Sequence, residues 1–276
     1  LRLCRKKLAE FRLDTPTAVR VVATSAVREA RNRGELIDHV FNLTGFEIEP
    51  LDEADVHRVT YLEVLGVFDK HPELSKGRTF AIEIGGGSTE AIVLQDRDVI
   101  FSNTFRMGSL RMRRTLDGFR TSRDRIREIM EGEVSRVGDR LEAAMGPNPP
   151  DQMLVMGGDI RLAADILYPN RPAADVETID VNDLEQLFET IWATSTDQLV
   201  GNYRLSIADA ESFAPALMAY TYLARRFKLS SLYLTDTNLR EGLLLDMAGG
   251  GRAAKIRPQI LASVRASATK YGIDEK

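Results

Sequence analysis

The chain has 276 residues, of which 43% are hydrophobic and 28% charged, and this composition excludes a disordered or fibrous protein. No run of about 18 apolar residues is free of charges, so no helix is expected to span a membrane. The net charge of −4 provides no basic field for duplex nucleic acid, and the single cysteine, Cys4, excludes internal disulfides and thiolate metal sites. Because the first residues also lack the pattern of a secretory signal, we expect a cytoplasmic protein.

The first part of the sequence alternates helical and extended patterns. Apolar spacing predicts helices over residues 3–11, 28–43 and 55–67, and short apolar or alternating runs predict strands over 18–24 and 46–50.

The middle of the chain contains the most informative segment. Strands are predicted over residues 79–84 and 91–94, on either side of the sequence Gly-Gly-Gly-Ser-Thr-Glu at 85–90. A third strand over 99–101 makes this an antiparallel group, and the longest periodic helix follows over 122–145.

The last part continues the alternation. Its predicted elements are a strand over 153–156, a helix ending at Trp192, a helix over 216–227, a strand over 232–235 and a helix over 239–247. Asn182 and Glu185 resemble a capping box, and Pro215 lies near the start of the helix over 216–227. The pattern as a whole predicts an α/β protein with covered sheets.

The glycine segment predicts an anion site. Gly85, Gly86 and Gly87 permit backbone N–H groups to turn toward one point. The hydroxyls of Ser88 and Thr89 offer further donors, so a tetrahedral oxyanion fits this cradle. The sequence lacks the GxxxxGK[ST] and GxGxxG patterns of common nucleotide-binding loops. The alternative is a glycine-rich hairpin turn that binds no ligand.

Acidic residues flank this segment at both strand ends. Glu83 lies two residues before the glycines, and Glu90 directly follows Thr89. Bare carboxylates would repel a bound phosphate, so the pattern favours a hard cation between them, for which Mg²⁺ is the natural candidate. The alternative, a pair of solvated strand-end charges, fits less well because Glu83 interrupts an apolar strand.

A second candidate phosphate contact lies at the end of the strand over 18–24. Thr24 ends this strand, and Arg28 follows within one helical turn with a guanidinium suited to bidentate phosphate binding. A capped helix start with a solvent-facing arginine explains the spacing equally well.

Four segments, ATSAVREARN, IEIGGGSTEAIV, RMGSLR and TDTNLREGLLLDM, follow one another in this order. With them, nearly the whole chain resembles the exopolyphosphatase/guanosine pentaphosphate phosphohydrolase (Ppx/GppA) family. The resemblance implies an actin-like, ribonuclease-H-like fold with two lobes around a phosphate-binding cleft. It also implies magnesium-dependent hydrolysis of the terminal phosphate of polyphosphate or guanosine pentaphosphate.

The resemblance also implies roles for single residues. Those expected to bind phosphate are Gly85, Gly86, Gly87, Ser88, Thr89, Thr24, Arg28, Gly157 and Gly158. Glu83 and Glu90 match the expected metal site, although most members have Asp at the position of Glu83. Asp159 and Asn238 also depart from the family pattern.

The expected domains are the remainder of a first lobe over residues 1–60, a second lobe over 61–252 and the start of a linker or helical segment over 253–276. Family members begin with a further strand and phosphate loop. We therefore expect the first lobe to be incomplete and the chain to be part of a longer protein.

The catalytic base is the family feature that this sequence lacks. A gapless alignment anchored on Arg58 places Val56 where the family has the glutamate that activates water, and valine cannot accept a proton. Asp55 and Glu53 are candidate replacements, and His57 is a third. In the alternative interpretation, the acids only favour a helix start and His57 is a surface residue.

We therefore expect a Mg²⁺-dependent hydrolase that acts on polyphosphate or guanosine pentaphosphate, with Asp55 or Glu53 as base and Arg28 stabilising charge. The alternative is a binding module that senses polyphosphate or guanosine tetraphosphate without turnover. A phosphotransferase fits the ATSAVR and LREG segments less well. The sequence predicts no nucleic-acid duplex or membrane as partner and leaves a homodimer open.

Overall fold

The computed structural model describes residues 2–11, 19–116, 122–172 and 174–248. The chain divides into two compact units, Leu1–Val56 and His57–Lys276. The predicted segment over 253–276 lies outside the described residues, and the three-part division made from the sequence stays a prediction.

The first unit contains a two-stranded parallel sheet. Its elements are α1 (Arg2–Glu10), β1 (Val21–Ala23), α2 (Ser25–Arg28), α3 (Arg33–Thr44) and β2 (Ile48–Pro50). The strands pair in the register Val21 to Ile48. The helix α3 ends at Gly45, whose φ of 71° lies in the left-handed region that glycine adopts without a steric penalty.

The second unit is built on a six-stranded mixed sheet with the order β5-β4-β3-β6-β8-β7. The remaining elements are α4 (Glu53–Lys70), which begins in the first unit, a 3₁₀ turn (Pro72–Ser75), β3 (Arg78–Ile84), β4 (Thr89–Gln95), β5 (Asp98–Phe105), α5 (Ser109–Leu116), α6 (Arg123–Met145), β6 (Gln152–Met156), α7 (Gly158–Leu167), β7 (Val176–Asp180), α8 (Val181–Ala193), α9 (Thr196–Tyr203), α10 (Ile207–Arg226), β8 (Ser231–Thr235) and α11 (Leu239–Ala248).

The direction of the strands determines where a ligand site can form. The central strands β3, β6 and β8 are parallel, whereas β4 and β5 are antiparallel to their neighbours and β7 is antiparallel to β8. The carboxyl ends of the three parallel strands therefore lie at one edge of the sheet, where ligands bind in open α/β sheets. These ends are followed by Gly85, Gly157 and Asp236.

Helices cover both faces of this sheet. On one face, side chains of α4 such as Val64 and Phe68 pack on Ala81 and Ile92. On the other face, α6, α7, α8 and α10 enclose a larger apolar core. Burial on both faces explains why the central strands are apolar runs rather than alternating ones. The predicted α/β class with covered sheets is confirmed, and in the described residues no helix is long and apolar enough to cross a membrane.

Two boundaries differ from the sequence prediction. The predicted capping box of Asn182 and Glu185 is wrong, because Asp180 caps α8 by accepting hydrogen bonds from the amides of Asn182 and Asp183. Pro215 was expected near a helix start but lies inside α10, which begins at Ile207 behind the cap Ser206. Proline is tolerated there because the surrounding residues of α10 are buried in the core, so packing outweighs local propensity.

Candidate functional site

The glycine turn, residues 85–88, is held by the start of α5 through its carbonyl groups. The amide of Ser109 donates to the Gly85 carbonyl at 2.9 Å, and the amide of Arg111 donates to the Gly86 carbonyl at 3.0 Å. The side-chain Nε of Arg111 donates to the Gly87 carbonyl at 2.8 Å. All three glycine carbonyls therefore point toward α5.

This arrangement determines where the amides of the turn point. In a planar trans peptide the N–H lies opposite the preceding carbonyl, and the described residues contain no cis peptide bond. The amides of Gly86, Gly87 and Ser88 therefore point away from α5, and none of them has an acceptor among the described residues. The Gly85 amide instead donates to the Ser88 carbonyl at 2.9 Å. Three amides thus form one outward-facing donor group, as an anion site requires.

The two hydroxyls of this segment are already hydrogen-bonded. Ser88 Oγ donates to Glu90 Oε1 at 2.9 Å, and Thr89 Oγ1 donates to the Met107 carbonyl at 2.6 Å. A role for Ser88 or Thr89 as a side-chain donor to phosphate stays a prediction, and it requires these bonds to be exchanged.

Sequence reasoning missed Gly108, which lies directly against the turn. A Cβ at this position would be 2.5 Å from the Gly86 oxygen and 2.6 Å from the Gly87 carbonyl carbon. Only glycine permits two backbone segments to approach so closely. The RMGSLR segment, which follows β5, contains the signal, since a glycine between a strand and a helix often marks such an approach.

The two predicted metal ligands, Glu83 and Glu90, lie side by side. They are paired in register across β3 and β4, and Glu90 is paired with Thr104 of β5. Residues paired in this way point to the same face, which is the α4 face, because Ala81 and Ile92 of the same strands pack there. Like charges directly opposite one another destabilise a sheet unless a proton or a cation compensates them.

The paired carboxylates of Glu83 and Glu90 fit a magnesium ion that takes its other ligands from a bound phosphate and from water. In the described part of the chain, no group of three or more acidic, histidine or cysteine side chains converges as a complete metal site. Mg²⁺ is commonly bound through one or two carboxylates, with phosphate oxygens and water as the other ligands. Burial raises the pKa of Glu83, and the Arg161 guanidinium partly offsets this rise. A cation beside Glu83 would favour its charged form.

Tyr220 of α10 joins the ends of β3 and β6. Its hydroxyl accepts a hydrogen bond from the Ile84 amide at 3.0 Å and donates one to the Met156 carbonyl at 2.6 Å. Tyr220 is fully buried. Tyr220, which is distant in sequence from both strands, therefore holds together the carboxyl ends of β3 and β6, which the glycine turn and Gly157 follow.

Replacing Tyr220 by Phe is expected to lower the free energy of unfolding by about 1–3 kcal/mol, because the buried Ile84 amide loses its acceptor. Chemical denaturation measures this change. The matched control is Tyr203→Phe, since Tyr203 is only partly buried at the end of α9. Equal stability of the Tyr220→Phe variant and the parent protein would contradict the assigned role.

The predicted Gly157 and Gly158 lie at the start of α7, beside the same carboxyl edge. The φ of Gly157 is 117°, and a Cβ there would be 3.6 Å from Glu83 Cγ. Asp159, the next residue, is partly buried and accepts a hydrogen bond from Ser212 Oγ at 3.2 Å. Burial raises the pKa of Asp159 to about 6, so this departure from the family pattern places a titratable group at the loop.

Glu63 of α4 is a second feature that sequence reasoning missed. It is 1% exposed, and neither carboxyl oxygen has a hydrogen-bond partner among the described residues. Burial raises its pKa to about 9, and the charges of Glu83 and Glu241 contribute to the rise. The available signal was a lone acid between Leu62 and Val64 on a helix that is otherwise apolar on this side.

The raised pKa of Glu63 predicts a pH-dependent stability. The folded protein holds the proton more tightly than the unfolded chain, so this contribution is complete below the ordinary glutamate pKa and is lost as the pH rises toward 9. We expect the free energy of unfolding to fall by about 1.4 kcal/mol per pH unit in this range on account of Glu63. Urea unfolding of Glu63→Gln should show a shallower slope, whereas Glu35→Gln, on the exposed side of α3, should keep the parent slope. Equal slopes for all three proteins would refute the prediction.

The other predicted residues lie at the end of β1 and the start of α4. Thr24 precedes α2 and makes no side-chain cap bond, and Arg28 donates to the Leu51 carbonyl at 3.0 Å. Glu53 and Asp55 lie in the first turn of α4. The roles proposed for these four residues toward phosphate and water stay predictions.

The interpretation of His57 as a surface residue is wrong. His57 is 7% exposed, and its Nε2 lies 3.0 Å from Thr104 Oγ1. The side chain is buried because α4 packs on the face of the sheet that carries Thr104. His57 therefore joins α4 to β5, beside the strand that bears Glu90.

Comparison with known proteins gives a consistent result. A model of the Ppx/GppA phosphatase family matches residues 1–250. Exopolyphosphatase 1 of Mycobacterium leprae is 26% identical over 227 residues, which are 81% of this chain and 66% of that protein. The guanosine-5'-triphosphate,3'-diphosphate pyrophosphatase of Vibrio parahaemolyticus is 22% identical over 277 residues, 98% of this chain and 52% of that protein. The chain thus spans between half and two thirds of the length of these curated relatives.

A solved structure shows the same fold. The crystal structure of an exopolyphosphatase from Cytophaga hutchinsonii superposes with a TM-score of 0.75 at 22% identity, covering 89% of this chain and 81% of that one. The crystal structure of the Aquifex aeolicus Ppx/GppA family member gives a TM-score of 0.70 at 20% identity, covering 89% and 78%. These likenesses confirm the predicted actin-like α/β fold.

Proposed function

Because this chain belongs to the Ppx/GppA phosphatase family, whose model matches residues 1–250, we propose that it releases the terminal phosphate of inorganic polyphosphate or guanosine pentaphosphate with the aid of Mg²⁺. The observation that supports this most strongly is the outward orientation of the Gly86, Gly87 and Ser88 amides. Three backbone donors that point away from α5 at a strand end suit the oxygens of a terminal phosphate.

Each part of the site has a proposed task. The three amides bind the terminal phosphate and stabilise the charge that develops on its oxygens during water attack. Glu83 and Glu90 would hold Mg²⁺, which when bound neutralises phosphate charge and orients the reacting groups. Arg28 supplies further positive charge, and Asp55 or Glu53 takes the proton of the attacking water.

The direct test is phosphate release. Purified protein with Mg²⁺ is expected to release inorganic phosphate from polyphosphate or from guanosine pentaphosphate, and addition of a chelator should stop the release. Absence of release from both substrates, in a protein that is folded by circular dichroism, would refute the proposal.

A second candidate function is supported by Val56. This residue is 2% exposed, so an apolar side chain fills the position that the resemblance gives to the catalytic glutamate. In this case the protein binds polyphosphate or guanosine tetraphosphate and acts as a sensor without turnover.

A matched pair of substitutions separates the two functions. If the protein is a sensor, Val56→Glu should create phosphate release, whereas Val56→Gln, of similar size but without a basic oxygen, should not. Phosphate release by the unmodified protein at the rate of Val56→Glu would exclude the sensor function. The cytoplasmic location and the homodimer stay predictions.

A further inference from the structure

We infer that Arg111 is a positioning residue for the phosphate-binding turn, acting through its Nε–H on the Gly87 carbonyl rather than through its charge. This inference rests on the proposed function, since the turn is positioned for a phosphate. The observation that supports the inference is the 2.8 Å hydrogen bond that Arg111 Nε donates to the Gly87 carbonyl oxygen.

The three carbonyl contacts of the turn differ in kind. The Gly85 and Gly86 carbonyls accept from the backbone amides of Ser109 and Arg111, and every residue type except proline supplies such an amide. The Gly87 carbonyl is bound by a side chain. The orientation of the Gly87–Ser88 peptide group therefore depends on which residue occupies position 111.

One of the two dihedral angles that orient this peptide group is that of a glycine. Its carbonyl belongs to Gly87, which has no Cβ, so the ψ of Gly87 is less restricted than that of other residues. Its amide is that of Ser88, the third outward donor. When the bond to Arg111 is lost, rotation of the Gly87–Ser88 peptide turns the Ser88 amide away from the other two donors.

Substitutions at position 111 can separate the effect of the hydrogen bond to Gly87 from the effect of the positive charge. Gln places its Nε2 amide the same number of bonds from Cα as arginine Nε, so Arg111→Gln retains a donor to Gly87 without the charge. Lys retains the charge but has a methylene at that position, and Met has neither the donor nor the charge. Arg114→Met is the control, because Arg114 is exposed on the same helix.

The first experiment needs no ligand. We measure the backbone order parameter of the Ser88 amide by NMR relaxation, expecting about 0.85 in the parent protein, Arg111→Gln and Arg114→Met. We expect a value below about 0.6 in Arg111→Lys and Arg111→Met. A rigid Ser88 amide in all variants would overturn the inference.

The second experiment uses inorganic phosphate as the probe and polyphosphate as the substrate. Arg111→Lys and Arg111→Met should bind phosphate about tenfold more weakly, while Arg111→Gln stays within about threefold of the parent protein. The same order in KM for polyphosphate would support the inference. Full binding by Arg111→Lys with loss in Arg111→Gln would show a role of charge and overturn it.

The two experiments also separate this inference from the proposed function. If the Ser88 order parameters follow the expected pattern but the parent protein neither binds phosphate nor releases it, the proposed function fails while the positioning of the turn by Arg111 is upheld.

Discussion

Gly108→Ala is expected to reduce phosphate release at least 100-fold and to lower the free energy of unfolding by about 3 kcal/mol. The added methyl group would lie 2.5 Å from the Gly86 oxygen and 2.6 Å from the Gly87 carbonyl carbon. Both are backbone atoms, so no side chain can rotate to make room. The glycine turn must shift away from α5, and its three amides then lose their common direction.

The control for this prediction is Gly132→Ala. Gly132 lies inside α6, and a Cβ there meets no atom within 4 Å. Alanine should therefore raise stability by about 0.5–1 kcal/mol through helix propensity and leave phosphate release unchanged. Parent-like phosphate binding and stability in Gly108→Ala would show that the close approach is not needed.

Glu83→Gln and Glu90→Gln are expected to reduce magnesium-dependent phosphate release by about 100-fold or more each. Loss of a metal ligand removes several kcal/mol of charge stabilisation, and each 1.4 kcal/mol corresponds to about a factor of ten in rate. Calorimetric titration with Mg²⁺ gives an independent readout, in which each variant should bind the ion more weakly than the parent protein.

For Glu83→Gln we expect the stability of the folded protein to rise although phosphate release falls. Burial raises the pKa of this carboxyl group, so its charged form costs folding free energy at neutral pH. Glu83→Gln removes this cost and should raise the melting temperature while activity falls. Glu128→Gln, on the exposed face of α6, is the control and should change neither property. Unchanged magnesium binding in both site variants would refute the assignment of Glu83 and Glu90 as ligands.

Elements with a strong local pattern were predictable from the sequence. The antiparallel group of β3, β4 and β5 follows from apolar strands around a glycine turn, and α6 follows from its periodicity and its cap at Ser122. The glycine turn and the flanking Glu83 and Glu90 could also be chosen as a candidate site, because such residues at the end of an apolar strand are unusual in the sequence itself, and the structure pairs the two acids across β3 and β4.

Elements that depend on tertiary contacts were not predictable. The edge strand β7 was missed, since it exists through pairing with β8. The cap of α8 was placed wrongly because Asn182 and Glu185 match a common pattern while Asp180, earlier in the chain, supplies the actual acceptor.

The supporting residues of the site were missed for the same reason. Gly108, Arg111 and Tyr220 act through atoms that the fold brings close, and no local periodicity marks them. Glu63 is likewise unusual only because its helix is buried by the sheet and by α11, where a Cβ on Gly242 would be 2.8 Å from Glu63 Cγ.

The hydroxyl bridge of Tyr220 also affects how the nascent chain matures on the ribosome. Tyr220 follows Ile84 by 136 residues. At about 5–20 residues per second, synthesis separates the two by roughly 7–30 seconds. During this interval the hairpin of β3 and β4 has already emerged, but the Ile84 amide has only water to bind. The hydrogen bonds that join the ends of β3 and β6 thus form late in translation, when α10 is complete.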